Sequence, residues 1–283
     1  MLDPDWALTR QLLWVALAAL LAVLVLRAVR KDRREYQRFK RFRSTAKRQG
    51  MFRTWLRDAF LTFGGLSVGV LLLAGAQIAP LLGQLQVWPG LRQLRELIEA
   101  HGEIAAASIL GLILALGVLT YVGVRAARRE NDVVSIGDIQ AMLPRNRQEL
   151  RFGALLSINA GVFEELLFRL ALPALVFGAS GSALAAVIFS LLLFGALHLY
   201  QGVWGIVGTT VVGALMLGVY VVTGSIVWPI VLHVLFDLRT LVFIPMAVFG
   251  VHRVSTSSAT DTSSTSAPSS TAAPTAPIVP SEK

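Results

Sequence analysis

The chain has 283 residues, 55% of them hydrophobic and only 15% charged, with a net charge of +9 and no cysteine. A soluble domain averages about 45–50% apolar and about 25% charged residues, so this composition excludes an ordinary soluble domain and indicates a polytopic membrane protein. The lack of Cys excludes disulfides, Cys-ligated zinc and a Cys nucleophile.

The first apolar run, Leu12 to Leu26, is long enough with its flanks to cross about 30 Å of hydrocarbon. No small-residue cleavage site follows it, so it reads as a retained helix. Arg27 to Arg57 then holds thirteen of the 26 Lys and Arg, with Tyr36, Phe39 and Phe42 interleaved. Basic residues mixed with aromatics suit RNA, but a basic block directly between two apolar spans is the pattern of a cytoplasmic loop obeying the positive-inside rule. The expected partner of this loop is anionic lipid, and no nucleic acid is expected.

The second span runs from about Ala59 to Leu82 and carries Gly65 and Gly69 at a close-packing spacing. Residues 83–103 are polar, and RQLRELIEAHGE predicts a short amphipathic helix on the membrane surface. The third span is about Ile104 to Val124, followed by a second basic stretch. Four more apolar segments lie at roughly 153–177, 182–200, 203–222 and 225–248, joined by GASGS and TGS turns short enough to require antiparallel neighbours. From about His252 the Ser, Thr, Ala and Pro composition has little to bury and predicts a disordered tail. The expected fold class is all-α: a transmembrane helical bundle of about seven spans, or eight. With the basic loop inside, the N-terminus lies outside and the tail in the cytoplasm.

Few ionisable groups lie at membrane depth in the second half: Glu164, Glu165 and Arg169, then His198, then His233, Asp237 and Arg239. A charge at the bilayer centre costs about 2.5 kcal/mol or more, so these should face the bundle interior and be paired. Glu165 and Arg169 are four apart on one helical face and suit a structural ion pair. Glu164 points about 100° away from Glu165, which leaves it free for other work. His233 and Asp237 are also four apart, so the Asp is placed to accept a hydrogen bond and set the imidazole tautomer. A carboxylate and two imidazoles in a low-dielectric pocket suit activation of water.

These residues resemble the motifs of the CAAX prenyl endopeptidase and bacteriocin-processing family, also called type II CAAX proteases or abortive-infection-like proteins. Glu164, Glu165 and Arg169 match the first motif, Phe194 and His198 the second, and His233 and Asp237 the third, in the family's order. The resemblance covers about Pro144 to Asp237. It implies an intramembrane endopeptidase of the glutamate type acting on a peptide or protein substrate at the membrane, with no cofactor. Glu164 with His198 would activate water, His233 and position 237 would stabilise the oxyanion, and Glu165, Arg169 and Phe194 would support the site. Where family members have Asn at 237, its amide donates to the oxyanion; an ionised Asp237 cannot, so it is either protonated or orients His233. The organisation expected on this basis is a first helix and basic loop (1–58), two further spans (59–150), a catalytic transmembrane core (151–249) and a tail (250–283). The resemblance to bacterial members implies a bacterial inner membrane, where relatives are linked to peptide maturation or bacteriocin immunity.

Three rival readings stand beside it. Gly178–Gly181 matches the GxSG of rhomboid serine proteases, but Ser180 precedes His233 and Asp237, which is the wrong order; a Gly-Ser turn is the ordinary reading. Glu164, His198 and His233 also form a His₂Glu set of the kind that binds zinc. The metal-free reading is preferred, because as a ligand Glu164 would leave the site without a clear base. The third rival is a non-catalytic immunity or adaptor protein, or a transporter, in which the same charges are framework.

Overall fold

The computed structural model describes residues 7–130 and 137–254, and these are almost entirely helical, with no strand among them. In chain order the helices are α1 (Ala7–Leu26), α2 (Arg33–Phe39), α3 (Thr45–Ala59), α4 (Gly65–Ala74), α5 (Ile78–Gln86), α6 (Pro89–Ala100) and α7 (Gly102–Glu130). The second half follows with α8 (Arg147–Glu165), α9 (Leu172–Ser180), α10 (Ala183–Leu197), α11 (Gly202–Thr223), α12 (Val227–Leu238) and α13 (Ile244–Phe249).

Many of these are segments of longer rods joined by single wide π turns, at Leu166–Ala171 between α8 and α9 and at Arg239–Phe243 between α12 and α13. The cause is local. Pro173 and Pro245 lie just after each turn and cannot donate to the carbonyl four residues back, which opens the helical ladder. Ser190 on α10 donates to the Phe168 carbonyl at 2.6 Å and so satisfies an acceptor in the first wide turn.

Among the described residues, five helical stretches are long and apolar enough to cross a membrane. One of them, Ala183–Thr223, reverses at Gly202 (φ +79°, ψ −178°), a backbone conformation essentially reserved for glycine. It is therefore an antiparallel pair, α10 against α11, with Gly195 facing Thr210 and Phe194 facing Gly213. The α8–α9 rod is less apolar because it carries Glu149, Glu164, Glu165 and Arg169. Counting α10 and α11 separately and adding α8–α9 yields the seven rods of an all-α polytopic bundle.

The main apolar core is built around α9, whose residues Leu172 to Ala179 are all buried. Leu13, Leu17, Leu20 and Leu24 of α1 pack into it with residues of α4, α5, α10 and α11, so the first half of the chain is integral to the bundle. Outward-facing apolar residues such as Leu72, Val203 and Trp204 are strongly exposed, as a lipid-facing surface requires. The amphipathic α6 forms as expected, with Pro89 in its first turn and Arg92–Glu96 and Arg95–Glu99 pairs four apart.

Two expectations change. Arg27–Arg57 is not an open loop. α1 continues through a π turn (Arg27–Asp32) into α2, the chain turns near Lys40, and α3 returns antiparallel. This helical elbow has its own aromatic core: Phe39 meets Trp55 at 4.7 Å and Phe52 at 5.1 Å, and the Trp55 indole donates to Glu35. Tyr36 and Phe39 are buried, so these aromatics are not available to stack on bases. Arg48 and Glu149 form a fully buried ion pair that bolts the elbow to the start of α8. The chain also stays packed past residue 250. Val251 is buried and the Val254 carbonyl accepts from Arg147 N. The Ser/Thr-rich tail beyond it lies outside the described residues.

Candidate active site

The N-terminus of α8 is held by Asn146, whose side chain accepts from the backbone N–H of Gln148 and Glu149. From there α8 runs against α12. Their contact is close because Gly161 lies opposite Val234: a Cβ at 161 would stand 2.5 Å from Val234 Cγ2 and 2.9 Å from its backbone nitrogen. One turn beyond this crossing, Glu165 on α8 meets His233 on α12.

Glu165 is fully buried and lies between two partners. Its Oε1 accepts from His233 Nδ1 at 2.7 Å, and its Oε2 pairs with Arg169 Nε at 3.0 Å. Arg169 also donates to the Gly213 carbonyl of α11 at 3.2 Å. The expected Glu165–Arg169 pair is therefore present, but Glu165 also orients His233. The position expected for that task, Asp237, has its Oδ2 3.8 Å from His233 Nε2, close enough for ionic attraction but too long for a hydrogen bond. Because Nδ1–H is given to Glu165, Nε2 is the atom His233 presents toward Asp237 and the site.

His198 closes α10 in a short 3₁₀ turn (His198–Gln201). Its Nδ1 lies 2.8 Å from the Phe194 carbonyl, one turn back. A carbonyl only accepts, so Nδ1 carries the proton in this contact. Phe194 is the common neighbour. Its ring lies under the Arg169 guanidinium at 4.6 Å, meets His198 edge-on at 5.0 Å and faces His233 at 6.4 Å. The motif phenylalanine is thus the apolar floor on which three polar groups are set.

Glu164 is half-buried and has no hydrogen-bond partner among the described residues. Its carboxylate lies within electrostatic range of His233, Glu165, Arg169 and Arg27. Asp237 interacts in the same way with Glu164 and both histidines. The structure thus gathers all seven expected residues at one level of the bundle. Among the described residues, no three His, Asp or Glu side chains are arranged to hold a metal ion. Ser180 is remote: it ends α9, and the fifteen residues of α10, about 22 Å of helix, separate its end of the bundle from His198. Its hydroxyl donates to the Val176 carbonyl at 2.7 Å, an ordinary helix-end role.

Two neighbours escaped the sequence reading. Tyr200 packs against His198 with ring centroids 6.0 Å apart, and Tyr36 of the elbow packs against Tyr200 at 5.4 Å. The available signal was helical periodicity inside the basic block, where Asp32, Tyr36 and Phe39 recur every three to four residues on one face.

No curated protein and no solved structure matches the chain. A family model does: residues 146–239 match the Rce1-like family of type II CAAX prenyl endopeptidases. The matched stretch begins at the Asn146 cap and ends just past Asp237, so it contains every motif residue of the site and none of the elbow. The chain thus combines helices long and apolar enough to cross a membrane with a stretch, residues 146–239, that matches the Rce1-like type II CAAX prenyl endopeptidase model.

Proposed function

We propose that the chain is an intramembrane endopeptidase that hydrolyses a peptide bond with a water held between Glu164 and His198. The observation that carries this reading is the division of labour between adjacent carboxylates. Glu165 is consumed by His233 and Arg169, whereas Glu164 has no hydrogen-bond partner among the described residues and lies within electrostatic range of His233, while His198 spends its Nδ1 on the Phe194 carbonyl.

In this mechanism Glu164 takes a proton from the water while His198 Nε2 accepts the second water hydrogen and aims the oxygen. The oxygen attacks the scissile carbonyl carbon. Charge develops on the carbonyl oxygen, which His233 Nε2–H stabilises; for this the ring carries both protons, and Glu165 and Asp237 supply the counter-charges. Collapse of the intermediate breaks the C–N bond, and Glu164 returns the proton to the leaving amine. Asp237 then acts through His233 rather than as an oxyanion donor. Arg169 and Phe194 hold the two histidines and Glu165 in place.

The substrate would be a peptide or protein segment presented at the membrane, in a bacterial inner membrane with the elbow on the cytoplasmic side. The exposed residues Arg30, Arg33, Arg34, Arg38, Arg41 and Arg43 favour contact between the elbow and anionic lipid headgroups. The test is substrate trapping in the native host, comparing membrane-peptide profiles of the wild type, Glu164→Gln and a Ser180→Ala control. A precursor that accumulates only with Glu164→Gln supports hydrolysis and identifies the substrate. If no peptide changes while a deletion still has a phenotype, the site is the framework of a non-catalytic membrane protein.

A further inference from the structure

The catalytic turn His198–Gln201 is tied to parts of the chain that the family match does not include. The Gln201 carbonyl accepts from Asp138 N at 2.9 Å. The Gln201 side-chain amide donates to the Tyr200 hydroxyl at 2.8 Å. The Tyr200 ring packs edge-on against Tyr36 on α2. The Tyr36 hydroxyl donates to the Asp138 carbonyl, and the Asp138 carboxylate is paired with Lys40. The contacts form a closed circuit, Tyr36 to Asp138 to Gln201 to Tyr200 and back to Tyr36. It joins the elbow, the segment after α7 and the turn that carries His198.

We propose that Tyr36 and Asp138 are positioning residues for His198, so that the elbow completes the active site. The inference rests on the role assigned to His198 above. The physical need is clear. A short 3₁₀ turn has poorer hydrogen-bond geometry than an α-helix and ends here at a glycine, so little within the turn itself resists rotation of the His198 ring. The ring has one hydrogen bond among the described residues, to Phe194, and a tilted ring contact with Tyr200. Tyr200 keeps that contact only while Gln201 and Tyr36 hold Tyr200. Tyr36 and Asp138 are 102 residues apart in sequence, so the clasp forms only when the elbow is folded onto the bundle. Tyr36 of the basic segment and Asp138 of the segment after α7 thereby acquire a role that membrane topology does not require.

The experiment is NMR of ring-¹⁵N-histidine protein in lipid nanodiscs, which needs no substrate and so separates this proposal from the hydrolytic reading. The chain has four histidines, His101, His198, His233 and His252, and His198→Gln and His233→Gln assign the two site signals. In the wild type His198 is expected to show one fixed Nδ1–H tautomer. In Tyr36→Phe, which keeps the ring and removes one hydroxyl, and more strongly in Asp138→Ala, the His198 signals should broaden or split into two tautomers. The His233 signals, set by Glu165, should not move. An unchanged His198 in Asp138→Ala overturns the proposal. Equal loss of both histidine signals in both variants also overturns it, because the clasp would then support the whole bundle rather than His198.

Discussion

Glu165 accepts the Nδ1 proton of His233 at 2.7 Å across the α8–α12 contact, one residue after a glutamate with no hydrogen-bond partner among the described residues. Two adjacent carboxylates on one helix therefore occupy different environments, because a 100° step turns one into the packed seam and the other toward the site. This difference makes the two residues separable by experiment.

Glu164→Gln should lower peptide hydrolysis by about 10²- to 10⁴-fold, the usual weight of a general base, with no loss of thermal stability. Glu165→Ala should lose activity and also unfold more easily. It leaves Arg169 buried without its counter-charge, and removing one member of a buried pair costs about 3–5 kcal/mol. Melting in detergent alongside precursor accumulation in the host checks both. Equal stability loss in the two variants would overturn the division of labour.

The elbow is predicted to depend on one ion pair. Arg48 makes two hydrogen bonds to Glu149 through Nε and one through Nη2, and it donates to the Ala141 and Leu143 carbonyls while stacking over Phe39. Arg48→Ala strands the buried Glu149 carboxylate and should destabilise the protein by about 3–5 kcal/mol. A paired Arg48→Met, Glu149→Leu variant should recover most of that loss. A double-mutant cycle read by thermal melting measures the coupling, and additive losses would show that the pair is not the bolt.

Ser180→Ala should keep full peptidase activity. The hydroxyl is spent on the Val176 carbonyl and on the N–H of Ser182, at the far end of α10 from His198. A serine-directed fluorophosphonate should leave the protein unlabelled. Labelling at Ser180 would reopen the rhomboid-like reading.

The grouping of the candidate site's residues was legible because it follows helical spacing. Glu165 with Arg169 and Phe194 with His198 are each four apart, and buried charge in an apolar run narrows the field to a handful of residues. The seven rods were legible from apolar runs and short turns. The orientation of His233 was not, since its i+4 neighbour Asp237 is the local expectation and Glu165, 68 residues away, is the partner the α8–α12 crossing brings closer. The elbow was misread for a related reason. A basic run has the same composition whether solvated or folded, and what folds it is Glu149 and Asp138, about a hundred residues downstream.

The close crossing that brings Glu165 to His233 should fail if Gly161 is enlarged. A side chain at 161 meets Val234 backbone as well as its side chain, so α12 must move rather than a flexible side-chain tip. Gly161→Leu is expected to push α12 outward, break the Glu165–His233 hydrogen bond and lower activity by about 10²-fold, since a misplacement of about 1 Å at a catalytic group costs on that order. The chain has no cysteine, so spin labels can be attached cleanly at Leu155→Cys on α8 and Val231→Cys on α12, both exposed positions. The label distance should lengthen slightly in Gly161→Ala, whose Cβ already meets Val234 backbone, and further in Gly161→Leu. An unchanged distance with lost activity would place the defect in the site itself and not in the crossing.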